Sequence, residues 1–165
     1  MQVVAVTTPE QLEVALAIRF EVFVDEQGVD PAAERDALDP DPRTFHSLVV
    51  DDEGIPLATG RMLAPHTDVF HGEGSFGDMD PALPHIGRVA VRKVARGTGA
   101  GRALMLELEA QALTRHGAYG SVRVELSAQD QAMPFYEKLG YTPYGPAYLD
   151  EGISHHDAFK VVTGA

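Results

Sequence analysis

The chain has 165 residues, 44% of them hydrophobic, which suits one domain with its own core, and its lack of cysteine excludes a disulfide framework, a thiol nucleophile and a cysteine metal site. Its 25 acidic residues outnumber 13 basic ones, and the net charge of −12 argues against nucleic acid or an acidic membrane as partner while suiting a cationic or neutral substrate. No stretch reaches the roughly eighteen apolar residues of a membrane helix and no basic, apolar leader follows Met1, so the sequence predicts a cytoplasmic protein.

Val3, Val4 and Val6 predict a first strand. Thr8-Pro9-Glu10-Gln11 then reads as a helix start, with Thr8 as cap, Pro9 at the first position and Gln11 closing a capping box. Leu12, Leu16, Phe20 and Phe23 make the apolar stripe of that helix, which fades near Val24. From Asp25 to Arg43 the chain holds seven acidic residues, two basic ones and three prolines, which predicts a segment outside the core: a solvated loop or a lid over an acceptor site. Phe45 to Val50 and Ile55 to Leu63 predict two strands joined at Asp51-Asp52-Glu53-Gly54. Ala64 to Pro84 reads as a long irregular excursion.

The stretch from His85 to His116 organises the rest. Ile86, Val89 and Val91 alternate as in a strand, Arg96-Gly97-Thr98-Gly99-Ala100-Gly101 forms a glycine-rich turn, and Leu104, Leu108 and Ala112, with Met105 and Leu113, give a helix with an apolar face capped by Gly117. Glycines at a helix start admit a ligand close to the backbone, and the free amides there, with the helix dipole, hold anionic oxygens. A phosphate is the expected ligand. The spacing is not that of a nucleotide P-loop, because Gly101-Arg102-Ala103 lacks the Lys-Ser/Thr pair, nor of the dinucleotide fingerprint.

Val122 to Leu126 predicts another strand, Asp130 to Leu139 a helix that tolerates Pro134 if its first turn begins at Gln131 or later, and Tyr141 to Tyr144 and His156 to Val162 the last strands. The seven histidines are scattered except His155-His156, whose adjacency points them to opposite strand faces, so no metal is expected. The order β-α-ββ-β-α-β-α-β-β is mixed α/β in one domain over residues 1–165, with no repeat or linker.

Arg-x-x-Gly-x-Gly after a strand, Arg96 to Gly101, resembles the pyrophosphate loop of the GNAT superfamily of N-acetyltransferases. A second block, Gln129-Asp130-Gln131-Ala132-Met133-Pro134-Phe135-Tyr136-Glu137-Lys138-Leu139-Gly140-Tyr141, resembles that superfamily's Ala-x-x-x-Tyr-x-Lys-x-Gly-aromatic segment. The resemblance implies a central mixed sheet flanked by helices, acetyl-CoA as cofactor, and acetyl transfer to an amine by direct attack in a ternary complex. It implies that Gly97, Thr98, Gly99, Ala100 and Gly101 offer amides to the pyrophosphate, with Arg96 or Arg102 adding charge, and that Val89, Ala90 and Val91 meet the pantetheine arm and polarise the thioester carbonyl. Tyr136 matches the tyrosine that protonates the departing thiolate, and Gln129 stands where an asparagine is usual. The general base stays open among Glu26, His46, Glu125, His155 and a water relay.

Arg19-Phe20-Glu21-Val22-Phe23-Val24-Asp25-Glu26-Gln27, then Glu34, Asp36, Asp39, His46 and Leu149 to His155, are similar to the ElaA-like and YjcF-like branch, whose acceptors are mostly undefined. On that resemblance Arg19 and Phe23, four apart on a helix, shape an acceptor pocket together with Glu26, His46 and His155, while Arg61 contacts an acceptor's carboxylate or phosphate, or forms a salt bridge to the acidic segment. The partners expected are a small-molecule amine and, as an option, a second copy of the chain, with no nucleic acid and no membrane. Two other functions compete: an acyl-homoserine-lactone-type synthase, suggested by the Arg-x-x-x-Phe of Arg19 and Phe23 and expected to use acyl carrier protein, and a non-catalytic acyl-CoA-binding module.

Overall fold

The computed structural model describes residues 1–65, 80 and 82–164. Seven strands run in the order β1-β2-β3-β4-β5-β7-β6, with helices between them, and the chain separates into two compact units: Met1–Leu63 with Ile86–Gln111, and Ala64–His85 with Ala112–Ala165.

In the first unit, β1 (Gln2–Ala5) pairs antiparallel with β2 (Phe45–Val50), and β2 with β3 (Pro56–Leu63). The β2–β3 turn is built by Asp51, whose Oδ1 accepts from the amides of Glu53 at 2.8 Å and Ile55 at 2.9 Å. The predicted capping box opens α1 (Pro9–Arg19): Gln11 N donates to Thr8 Oγ1 at 3.2 Å, and Thr8 N to Gln11 Oε1 at 3.1 Å. The helix does not simply fade at Val24. It continues to Glu26, wound from Phe20 as a π-helix.

This change of winding corrects the pairing of Arg19 with Phe23. Four residues no longer make about one turn there, and Phe23 packs with Ala15, Ile18, Val22, Leu48 and Ala90 in the apolar core, while Arg19 enters a charge cluster. The acidic segment departs from the expectation of a solvated loop. It forms a short helix, α2 (Pro31–Glu34), and buries Glu34, Leu38 and Asp39. β4 spans His85–Val91 and α3 spans Ala100–His116. The helix lies close on β3 at Gly60, where an added Cβ would stand 2.9 Å from Leu108 Cδ1, 3.2 Å from Leu104 Cδ2 and 3.4 Å from Val89 Cγ2.

In the second unit, β5 (Ser121–Gln129) pairs antiparallel with β7 (Ile153–Thr163), and β7 with β6 (Thr142–Asp150). A parallel link joins β4 to β5 at His85 and Glu125. A 3-10 turn at Asp130–Ala132 precedes α4 (Met133–Lys138), so Pro134 falls in the first turn, where its missing N–H costs nothing. β6 runs past the predicted end at Tyr144, through Gly145 and Pro146, because an edge strand needs no amide from proline and its register shifts between Tyr144 and Tyr148. Glu151 and Gly152, both at positive φ, turn the chain into β7. Of the predicted excursion from Ala64 to Pro84, residues 66–79 and 81 lie outside the described residues.

Candidate active site

The glycine-rich segment begins as a 3-10 turn at Lys93–Ala95, passes through Gly97 at φ 80° and Gly99 at φ 88°, and enters α3 at Ala100, so the predicted turn is one part loop and one part helix. Only glycine adopts those angles without strain. Nothing lies within 4 Å of a Cβ built on Gly97 or Gly99, so it is the backbone angle, and not crowding, that selects glycine there. Ala95 N donates to Arg92 O at 2.8 Å, Thr98 N to Ala95 O at 3.3 Å, and the Thr98 hydroxyl to the same Ala95 carbonyl. The first helical bond is made by Ala103 N to Gly99 O at 3.0 Å, so the amides of Ala100, Gly101 and Arg102 precede any partner inside the helix. The segment is exposed at Arg96, Gly97, Thr98 and Gly99, and Lys93 and Arg102 are exposed beside it.

Arg96, expected to add charge for a phosphate, is engaged within the protein. Its Nη2 donates to both Glu26 oxygens at 2.8 and 3.0 Å, and its Nε to Val91 O at 3.1 Å. The same segment is held a second time by Arg92 Nε on Glu21 Oε2 at 2.9 Å. Both carboxylates come from the π-helix. Sequence reading placed Glu26 with the acceptor, and the structure brings it instead to the loop. On β4, Arg88 has φ 51°, which breaks the regular pleat immediately before Val89, Ala90 and Val91.

Arg19 and Arg61 lie with the acidic segment in a buried charge cluster. Arg19 donates from Nε to Glu34 Oε1 at 2.8 Å, from Nη1 to Asp39 Oδ1 at 2.6 Å, and from Nη2 to Glu34 O at 2.6 Å and Asp39 Oδ2 at 3.1 Å. Arg61 donates from Nη1 to Asp36 Oδ1 at 2.7 Å and Asp39 Oδ1 at 2.8 Å, and from Nη2 to Asp36 Oδ2 at 2.8 Å. Of the two readings of Arg61, the salt bridge to the acidic segment is the one the geometry realises. Burial alone would raise the carboxyls of Asp36 and Asp39, but Arg61 outweighs it at Asp36 and holds that carboxyl below its ordinary value, while Arg19 and Arg61 together hold Asp39 well below. His46 sits at the rim of the cluster with Nε2 3.0 Å from Asp39 O, and burial pushes its pKa down, so it is neutral and a donor to that carbonyl.

The second unit holds Tyr136, partly buried on α4, with its ring edge-on to Phe135 at 5.0 Å and Tyr141 at 6.0 Å between centroids. Among the described residues its hydroxyl has no hydrogen-bond partner, and burial pushes its pKa up, keeping it neutral. Gln129 accepts from Gln131 Nε2 at 2.8 Å. The remaining base candidates are engaged. Glu125 is buried and accepts from Arg123 Nε at 2.9 Å and from Tyr144 OH at 2.7 Å. His155 is buried with Nδ1 2.6 Å from Ile153 O and its ring stacked on Tyr148 at 6.0 Å. His156 points the other way, to Asp130 at 2.6 Å. Sequence reading missed Arg88, Arg92, Glu21 and Tyr144. For Arg88 a signal was present, since Gly87-Arg88 interrupts an apolar strand pattern as a bulge does.

A family model, the Acetyltransferase (GNAT) domain, matches residues 62–160. The chain is 34% identical over 161 residues to a Bacillus subtilis protein described as the uncharacterized N-acetyltransferase YjcF, covering 97% of this chain and 99% of that one. A solved Pseudomonas aeruginosa acyl-CoA N-acyltransferase is 29% identical with a TM-score of 0.76, over 97% of this chain and 99% of that one. Escherichia coli ElaA has the same fold at 23% identity and a TM-score of 0.75, over 96% and 98%. So does BjaI, described as a CoA-dependent acyl-homoserine lactone synthase, at 18% identity and a TM-score of 0.70, over 94% and 80%. With the family model matched over more than half its length and YjcF aligned from end to end, the chain belongs to the GNAT acetyltransferases and is an acyltransferase.

Proposed function

We propose that the chain is a single-domain enzyme that binds acetyl-CoA and moves its acetyl group to the amine of a small molecule by direct attack in a ternary complex. The observation that carries this reading is the segment from Gly97 to Arg102: two glycines in the left-handed region lead into the amino end of α3, a 17-residue helix, with Gly97, Thr98, Gly99 and Arg102 exposed and Ala100 and Gly101 buried. Such a place suits a pyrophosphate, with Lys93 and Arg102 adding charge. Val89, Ala90 and Val91, next to the break at Arg88, would offer backbone groups to the amide-rich arm of the cofactor and an N–H to the thioester oxygen.

In the reaction the neutral amine attacks the carbonyl carbon, a C–N bond forms, the C–S bond breaks, and the ammonium proton leaves while the sulfur gains one. Tyr136 is the donor on the sulfur side. Its raised pKa keeps the phenol protonated but makes full transfer to a thiolate uphill, because a thiol has an ordinary pKa near 8.5. Its contribution is therefore a hydrogen bond to the departing sulfur, with the proton coming in the end from the ammonium. Glu26, His46, Glu125 and His155 each have a protein partner, which favours a water relay over a dedicated base.

Calorimetric titration of coenzyme A tests the reading, followed by thiol release from acetyl-CoA with a panel of amines. Gly99→Asp places a side chain and a negative charge on a left-handed backbone, and should remove the binding heat while the far-ultraviolet circular dichroism stays native. Native affinity in that variant would overturn the loop assignment. The lactone-synthase reading is also open to test. BjaI is described as CoA-dependent, so a coenzyme A loop does not separate the two classes. Methylthioadenosine release from S-adenosylmethionine with an acyl-CoA would favour the synthase.

A further inference from the structure

Arg88 is the least satisfied cation in the buried cluster of the first unit. Arg19 donates from all three nitrogens and Arg61 from both terminal ones at 2.6–3.1 Å. Arg88 reaches the same carboxylates at longer range: Nη2 donates to Asp36 Oδ2 at 3.5 Å, while Nε stands 3.4 Å from Glu34 Oε1 and has no hydrogen-bond partner. Those two carboxylates are already committed, Glu34 to Arg19 and Asp36 to Arg61. The Arg88 side chain is 29% exposed where that of Arg61 is 3%, so it is the guanidinium of the cluster that an incoming molecule can meet, beside the similarly exposed Asp36 at 31%. Arg88 has a φ of 51°, one that a non-glycine strand residue rarely adopts, and on β4 it immediately precedes Val89–Val91, the residues proposed to hold the thioester.

The charges show what is missing. Arg19, Arg61 and Arg88 balance Glu34, Asp36 and Asp39, and the neutral His46 adds nothing. The balance is uneven in space, with short contacts around two guanidiniums and long ones around the third. Burial first, and then the positive charge of Arg61, hold the pKa of Arg88 below its ordinary value, so its surroundings leave the charge undercompensated. A guanidinium so loosely held fits a planar carboxylate, which can take two parallel hydrogen bonds. An amine that also carries a carboxylate would bring that group to Arg88 and its nitrogen to the thioester.

We infer that Arg88 is a specificity-determining residue, and that the acceptor class is small amines bearing a carboxylate, as in an amino acid, with the carboxylate on the terminal nitrogens of Arg88 and the amine turned toward the Val89–Val91 strand. This rests on the proposed acetyl transfer and deepens it. The acidic neighbours do not bar the carboxylate, because Asp36 and Glu34 are neutralised at short range by Arg61 and Arg19.

The test uses full-length protein and acetyl-CoA, with each amino acid offered as the free acid and as its carboxamide, and thiol release followed. Wild type should prefer the acid of at least one pair by about tenfold or more in kcat/KM, mainly through KM, as expected when a bidentate contact is gained. Arg88→Gln should lose that preference while still turning over the carboxamide, and Arg88→Lys should restore part of it. Equal loss on acid and carboxamide in Arg88→Gln, or an acid preference that survives it, would overturn the inference and leave acetyl transfer standing. A wild type that acetylates carboxamides but prefers no acid overturns it too. Coenzyme A binding with no turnover of any amine would instead sink the proposed transfer, and this inference with it. A second arm titrates N-acetyl amino acids and their carboxamides into coenzyme A-loaded protein, where tighter binding of the acids should vanish in Arg88→Gln.

Discussion

Tyr136 illustrates how one side chain can be placed by sequence and explained only by structure. Its spacing from Lys138 and Gly140 resembles a family motif, but the state of its hydroxyl follows from burial among Phe135 and Tyr141 with no partner among the described residues. Two outcomes follow from a phenol pushed above its ordinary value of 10.0. Tyr136→Phe should keep coenzyme A affinity and lower kcat about a hundredfold, the size of effect expected for one donor aimed at developing charge. In wild type, kcat should rise with pH as the acceptor amine deprotonates and show no fall below pH ~10, since the phenol stays protonated there. Stopped thiol-release assays across that range check both, and a wild-type rate in Tyr136→Phe would leave the ring a packing group.

At the scale of elements, the π-helix after α1 is the feature that periodicity missed. Leu12, Leu16, Phe20 and Phe23 fit one helical stripe on paper, and nothing in residue type marks the change of winding at Phe20. The consequence is local: Glu21 and Glu26 both face the β4–α3 connection, where they hold Arg92 and Arg96. A carboxylate on Arg96 competes with any phosphate for the same guanidinium. Because this pair is partly exposed, with Glu26 at 31% and Arg96 at 46%, its strength is modest, about 0.2–1 kcal/mol. Glu26→Gln is therefore expected to tighten coenzyme A by at most about fivefold in a calorimeter, the conversion of that energy into an equilibrium constant. Weaker binding would mean that Glu26 positions Arg96 for the cofactor.

The same contrast explains what could be read in advance. Strands, the capping box, the Asp51 turn and the glycine-rich loop depend on neighbours in sequence and were legible. The acidic segment was not, because seven acidic residues and three prolines look like surface until Arg19 and Arg61, distant in the chain, are brought to Glu34, Asp36 and Asp39. β6 was underestimated for a related reason. Gly145 and Pro146 end a strand in general, but not on the edge of a sheet.

For the molecule as a whole, the buried cluster ties stability to pH. Asp36 and Asp39 have folded pKa values below the ordinary 3.8, so their contribution is fully present above about pH 5 and is lost as pH falls through 3.8 toward the folded values. Acid unfolding followed by circular dichroism should accordingly steepen below pH ~4. Asp39→Asn, which leaves Arg19 and Arg61 short of a buried partner, should cost about 3–5 kcal/mol near neutral pH and flatten that acid dependence. An unchanged acid limb in the variant would show that the loss arises elsewhere.

The bare Cα of Gly60 sets how low α3 can ride on the strand beneath it. A single methyl there would have to push aside the side-chain ends of Leu104 and Leu108, the leucines that seat α3 on the strand. A hydrogen atom in the middle of β3 thus sets how tightly the helix bearing the proposed phosphate site can pack.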